Sequence, residues 1–251
     1  MGPRLPSPAL AGSRPEGPGT AGAVLVRLAG PPTRDQYWPG PGHRLAPGKN
    51  GPGKYHRIQV PSYNISGWYD QVSQATINNY LGMVRHGPER LRKQHKLLMG
   101  PWTHAVSFGV TARQGELDFP PQAAPDMRDI VQRWMDYWLK GTGNGILAEP
   151  PVRIYVMGAN EWRNENEWPL ARARYTKYYL RSSGRANSLF GDGALSEEAP
   201  ASEPADTFVY DPANPVPTIG GNVSMRPPSS GPYDQRSIER RDDVLVYSTP
   251  P

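Results

Sequence analysis

I-Q-V-P-S-Y-N-I-S-G-W-Y-D at residues 58–70 and K-L-L-M-G-P-W-T-H at residues 96–104 decide how this chain folds. Each is a short apolar run that closes in a turn and then presents one polar side chain, Asp70 in the first and His104 in the second. Residues 63–66 and 96–99 read as short buried strands, bounded by Gly67 and by Gly100-Pro101. Between them, residues 71–86 carry apolar side chains at positions 77, 80, 81 and 84, the spacing of one helix face, and Gly87-Pro88 stops the helix. Asp70 and His104 are 34 residues apart. That is room for one helical crossover returning to the same parallel sheet. Both side chains should then stand at the carboxyl ends of adjacent strands, where open α/β sheets place their ligands.

Strand, acid, helix, strand, histidine is the order in which the last two members of a Ser–Asp–His triad arrive in an α/β-hydrolase. A hydroxyl nucleophile needs a base within hydrogen-bond reach, and the base needs a carboxylate to fix its tautomer and stabilise the imidazolium. Asp70 is thus the candidate orienting acid and His104 the candidate general base. Each residue also has a plainer use. Asp70 could cap the helix that follows it, and His104 could be a loop histidine. The matching contexts of the two favour the chemical reading. A nucleophile elbow requires glycine two residues before and two after the serine. No serine here has both: Ser107 has only Gly109, Ser182 only Gly184, and Ser229 only Gly231. The serine nucleophile is therefore missing from this sequence, as is an identifiable oxyanion-hole donor.

Composition narrows the remaining classes. The chain has no cysteine, which excludes disulfides and a thiolate nucleophile. His43, His56, His86 and His95 lack metal-ligand spacing, so no metal site is expected. Neither phosphate-cradling glycine motif is present, so no nucleotide site is expected. The net charge of +5 comes from scattered residues, as at Arg240-Arg241 beside Asp242-Asp243, which argues against nucleic acid. No apolar run reaches the roughly 18 residues a membrane span requires. Residues 1–22 have no continuous apolar core of a signal peptide, so a cytoplasmic protein is expected. The sequon at Asn64 reads as chance.

With 27 glycines and 30 prolines the chain is heavily punctuated, and most heavily at its start. Residues 1–33 are expected to be a disordered head, since such composition buries too little apolar surface to offset ordering entropy. The aromatic D-Q-Y-W at 35–38 reads as packing on the domain edge. After His104 comes a polar loop. Asp126 then opens the best helix, with apolar residues at 127, 130, 131, 134 and 138 as one stripe and Lys140-Gly141 at its end. Trp134 and Trp138 are expected in the core. From about residue 147 the period changes to two. Residues 152–157, 175–180, 207–210 and 243–247 read as strands of a sandwich or jelly roll. They are too few to close one, and the chain ends just after a strand, as if interrupted. The expected fold class is α/β plus all-β. The C-terminal part of an α/β-hydrolase domain (34–146) is followed by a truncated jelly-roll β-sandwich (147–251).

Several stretches are familiar as wording. G-W-Y-D (67–70), G-P-W-T-H (100–104), A-P-D-M-R-D-I (124–130), W-M-D-Y-W-L-K-G (134–141), V-M-G-A-N-E-W-R (156–163), E-W-P-L (167–170), Y-Y-L (178–180) and Y-D-P-A-N-P-V-P-T-I-G-G (210–221) resemble the X-Pro dipeptidyl-peptidase / cocaine esterase-like (CocE/NonD) family of serine hydrolases. The resemblance runs from about residue 35 to residue 249. It implies a hydrolase domain with an inserted helical cap, a C-terminal jelly roll, and acyl transfer through a covalent acyl-enzyme on an ester or peptide substrate. The family's aspartate falls on Asp70 and its histidine on His104. Its serine, in a G-x-S-Y-x-G motif, has no counterpart here. No cofactor is implied. The chain thus resembles an internal-to-C-terminal fragment. It would act with a separate N-terminal half, or serve as an inactive binding or interaction module. Open sheet edges would favour association with such a half or with a second copy.

Overall fold

The computed structural model describes residues 54–104, 109–223 and 230–250. The expected head at 1–33 and the aromatic stretch at 35–38 lie outside the described residues. Two strands and a helix frame the centre. Strand β1 is Tyr63–Tyr69, helix α1 is Ser73–His86 and strand β2 is Lys96–Thr103. β1 and β2 are parallel, in register from Tyr63↔Lys96 to Gly67↔Gly100, with a shift before Tyr69↔Thr103.

β2 runs further than its sequence suggests. Gly100-Pro101 does not end the strand, which continues to Thr103. The ladder on its other side has already stopped at Met99↔Ile154, so the missing N–H of Pro101 interrupts no bond there.

Side chains of β2 alternate between two cores. Leu97 and Met99 pack under α1 with Ile77 and Tyr80. Leu98 and Trp102 face the opposite side, with Ile130 and Met127 of helix α2, Met127–Lys140. The sheet is therefore sandwiched between α1 and α2. Burying side chains such as Leu97, Leu98 and Met99 stabilises the fold by roughly 1.5–3 kcal/mol each.

Helix α2 has both ends specified. The Asp126 carboxylate accepts from the backbone N–H of Arg128 and Asp129, and Gly141 takes the left-handed conformation at φ 71°. Its expected stripe is narrower than the sequence pattern implied. Ile130 and Trp134 are buried, whereas Val131 is 42% exposed and faces a cavity described below. Trp134 packs edge-on against Tyr63 and Trp138, and Trp138 is only half-buried.

The sheet does not stop where the period of the sequence changes. Strand β5 (Val152–Val156) adds parallel to β2, and strand β6 (Glu161–Glu165) adds antiparallel to β5. The order is β1-β2-β5-β6, so residues expected to open the all-β region complete the α/β sheet. Alternation alone cannot tell which sheet a strand joins. Between β2 and α2 lies a small hairpin, strands β3 (Arg113–Gln114) and β4 (Leu117–Asp118).

Further on, two of the expected strands are not formed. Of 175–180 only the end pairs, as strand β7 (Tyr179–Arg181) against strand β8 (Ala194–Ser196). Residues 207–210 form no strand, and Phe208, Val209 and Tyr210 are exposed. Residues 243–247 contribute a single bridge, Asn187↔Leu245. Strand-forming composition needs a partner ladder, and the described residues supply few. A short helix α3, Arg236–Glu239, follows. No helix among the described residues is long and apolar enough to cross a membrane.

The amino ends of β1 and β2 hold a buried histidine. His95 Nδ1 lies 2.9 Å from Ser62 Oγ, which also accepts from Asn64 Nδ2 at 3.0 Å. Asn64 donates to Lys96 O as well, so its amide is engaged within the fold. Burial pushes His95 below its ordinary value of 6.5. The unfolded chain therefore binds this proton more readily, and stability falls as pH drops through 6.5 towards the folded value. Carboxylates held below their ordinary range, such as Asp206, titrate beneath that window. Thermal melts should show the midpoint falling more steeply between pH 7 and 5 for the native chain than for His95→Gln; parallel slopes would remove His95 as the cause.

Candidate active site

Asp70 and His104 meet at the carboxyl ends of β1 and β2. His104 Nδ1 is 2.9 Å from Asp70 Oδ1. A carboxylate offers only acceptors, so Nδ1 donates, and Nε2 is left as the nitrogen able to exchange a proton. Among the described residues Nε2 has no hydrogen-bond partner. The carboxylate is nearly enclosed, with 5% of its side chain exposed against 36% for His104.

Local backbone explains the aim of the acid. Gly67 sits where a Cβ would lie 1.9 Å from the Trp102 carbonyl oxygen, so only glycine lets β1 approach β2 this closely. The turn that follows is closed by Asp70 N donating to Gly67 O at 3.1 Å and Ser73 N donating to Asp70 O at 3.1 Å. The carboxylate is then held on two further sides. Ser66 Oγ donates to Oδ2 at 2.8 Å, and Val72 N donates to Oδ1 at 2.8 Å. The plainer reading of Asp70 as a helix cap does not describe this geometry. Helix α1 begins at Ser73, and no side chain caps it.

His104 follows directly from β2. The preceding residue is fixed by Thr103 N donating to Gln114 Oε1 at 3.2 Å, and Gln114 is itself buried. Burial pushes the neighbouring Tyr69 phenol up, so it adds no negative charge near neutral pH.

Both side chains line one cavity of about 1010 Å³. Ile65, Val110, Met127 and Val131 give it an apolar wall, and Asp126 and Arg128 bring charge to it. Thr76 is the only hydroxyl side chain among its described lining residues, and its Oγ1 donates to Val72 O. Ser182, rejected on its sequence context, is occupied elsewhere, donating to Asp206 at 2.7 Å. Ser107 and Ser229 lie outside the described residues.

Sequence reasoning expected Asp70 and His104 side by side, as the structure has them, but missed the residues that hold them, Ser66, Gln114 and Asn222. Asn222 Nδ2 donates to Trp68 O at 3.0 Å and to Asp70 O at 3.3 Å. Ser66 carried a local signal, four residues before Asp70 on the same strand end. Gln114 carried none, and Asn222 none beyond following the quoted stretch 210–221.

A carboxylate and an imidazole joined at adjacent parallel strand ends, on a sheet covered by helices, are features of the α/β-hydrolase class. Comparison with known proteins refines this. Residues 23–106 match the family model for X-Pro dipeptidyl-peptidase (S15 family), and residues 144–251 match that for the X-Pro dipeptidyl-peptidase C-terminal non-catalytic domain. The cocaine esterase of Rhodococcus sp. strain MB1 Bresler is 37% identical over 195 residues, which cover 76% of this chain and 32% of that protein. Among solved structures, an aminopeptidase from a marine sediment Thaumarchaeota archaeon aligns at a TM-score of 0.63 and 27% identity, over 90% of this chain and 35% of that one. An α-amino acid ester hydrolase aligns at 0.59 and 28%, over 78% and 33%. The chain belongs to the X-Pro dipeptidyl-peptidase / cocaine esterase-like family of serine hydrolases. It spans about a third of the length of these relatives.

The close approach at Gly67 gives a direct test. An alanine in a strand ordinarily gains about 0.5–1 kcal/mol over glycine. Here the clash with Trp102 O should reverse the sign, and Gly67→Ala should cost about 1–3 kcal/mol in urea unfolding at unchanged m-value. A neutral or stabilised variant would show that β1 and β2 are not pressed together at this point.

Proposed function

We propose that this chain carries the acid and base of a serine hydrolase that cleaves an ester or amide bond through an acyl-enzyme, with the serine supplied by another polypeptide segment. The observation that supports it is the 2.9 Å hydrogen bond between Asp70 and His104 at the wall of an open cavity. His104 Nε2 takes the proton from the serine hydroxyl as it attacks the carbonyl. The same nitrogen returns the proton to the leaving alkoxide or amine. Water then repeats the cycle on the acyl-enzyme and regenerates the serine. Asp70 keeps Nδ1 protonated throughout and stabilises the imidazolium. The apolar wall of Ile65, Val110, Met127 and Val131 suits an uncharged acyl group. In this reading β7, β8 and the bridged segments around them are part of a jelly roll whose other strands come from elsewhere.

A second reading, a non-catalytic binding module, is favoured by the absence from the sequence of a serine flanked by glycines at both elbow positions. The two separate experimentally. Alone, the chain should neither hydrolyse nitrophenyl acetate nor react with a fluorophosphonate probe. Co-expressed with the G-x-S-Y-x-G-bearing N-terminal segment of a family member, it should co-purify, label on that segment's serine and turn over the ester. Asp70→Asn should lower kcat of the assembly on the order of 10⁴-fold. Assembly without labelling would favour the binding module, and labelling of the isolated chain would overturn the claim of a nucleophile in trans.

A further inference from the structure

Asn222 reaches the acid turn from 152 residues away. Its Nδ2 holds two carbonyls of that turn, Trp68 O at 3.0 Å and Asp70 O at 3.3 Å. The segment it belongs to is tied down on both sides. Gly221 and Gly231 exchange backbone hydrogen bonds at 2.7 and 3.1 Å, and Gln235 Nε2 donates to Ile219 O at 2.7 Å. The same segment grips the β3–β4 hairpin, where Glu116 N donates to Pro232 O at 2.9 Å and Asp234 N to Glu116 Oε2 at 2.9 Å. That hairpin carries Gln114, whose Oε1 accepts from Thr103 N just before His104. Residues 219–222 and 231–235 thus touch the support of both members of the acid–histidine pair.

We infer that Asn222, within a stretch matched by a family model for a non-catalytic domain, is a positioning residue for Asp70 and His104. The inference rests on reading that pair as the proton-transfer couple. The turn from Gly67 to Ser73 is short, and a carboxylate on it can aim at Nδ1 only while its backbone is fixed. Losing the amide frees Trp68 O, leaves Asp70 O with Ser73 N alone, and lets Oδ1 swing from His104. The imidazolium then loses part of its stabilisation. The other charged groups lining the cavity, Asp126 and Arg128, lie on α2 and its cap and are untouched by the change.

The test is the ring ¹⁵N spectrum of neutral His104 in the full chain, with thermal melting in parallel. Asn222→Ala should lower the ratio of Nδ1–H to Nε2–H tautomer about threefold. The tautomer ratio of His56, which is exposed, should be unchanged as the internal reference. Asn222 is itself exposed, so core packing survives its replacement. Asn222→Leu, close in size, reads the loss of the donor with side-chain bulk retained and should shift the His104 tautomer ratio the same way. Lower melting temperatures with an unmoved His104 tautomer ratio in either folded variant would overturn the inference. Failure of the assembly to label with fluorophosphonate would sink the hydrolase reading and leave this tautomer result standing, so the two failures are distinguishable.

Discussion

A carboxylate taken out of water must be hydrogen-bonded or paired, because an uncompensated buried charge costs several kcal/mol. Asp70 meets that requirement through Ser66 Oγ, Val72 N and His104 Nδ1, and each partner comes from a different piece of backbone. Ser66 belongs to β1, Val72 to the turn before α1, and His104 to the end of β2. The parallel pairing of β1 with β2 brings all three within reach, and Gly67 is what permits that pairing to run so close. Much of the remaining structure serves to hold those two strands still. α1 covers one face, α2 the other, and β5 flanks β2 on the side away from β1.

The chain divides its supports unevenly. The α/β sheet extends through β6, beyond the point where the sequence changes character, and Trp68 Nε1 donates to Tyr155 O across it. Later residues form short pairs and bridges yet still reach back to the acid turn through Asn222 and to the hairpin through Pro232 and Asp234. A region that leaves Phe208, Val209 and Tyr210 exposed still contributes specific hydrogen bonds to the turn that aims Asp70. On the other side of the sheet, β1 has no paired strand along its outer edge among the described residues.

What the sequence made legible was local. The helical periods of α1 and α2 were readable because one face of each is buried, and Asp126 and Gly141 mark α2 with side-chain and backbone chemistry that few other residues supply. The order of acid, helix and histidine was readable because a parallel crossover has a minimum length. Reading stopped where partners are distant. Val152–Val156 alternates as an all-β strand would, yet its place is decided by which edge is open, and that edge belongs to β2. Residues 207–210 have strand composition and no ladder. Val131 fits the apolar stripe of α2 but looks onto the cavity instead of the core. Asn222 and Gln114 act through contacts that no period or local motif encodes.

The central claim is that Asp70 governs which nitrogen of His104 carries the proton. Long-range ¹H–¹⁵N correlation spectra of the full chain above the His104 midpoint measure this directly. Neutral His104 should carry its proton on Nδ1 in the native chain and shift to a mixture or to Nε2 in Asp70→Asn, whose amide can donate to the ring. A tautomer population identical in the two proteins would contradict the pairing on which everything proposed for this chain depends.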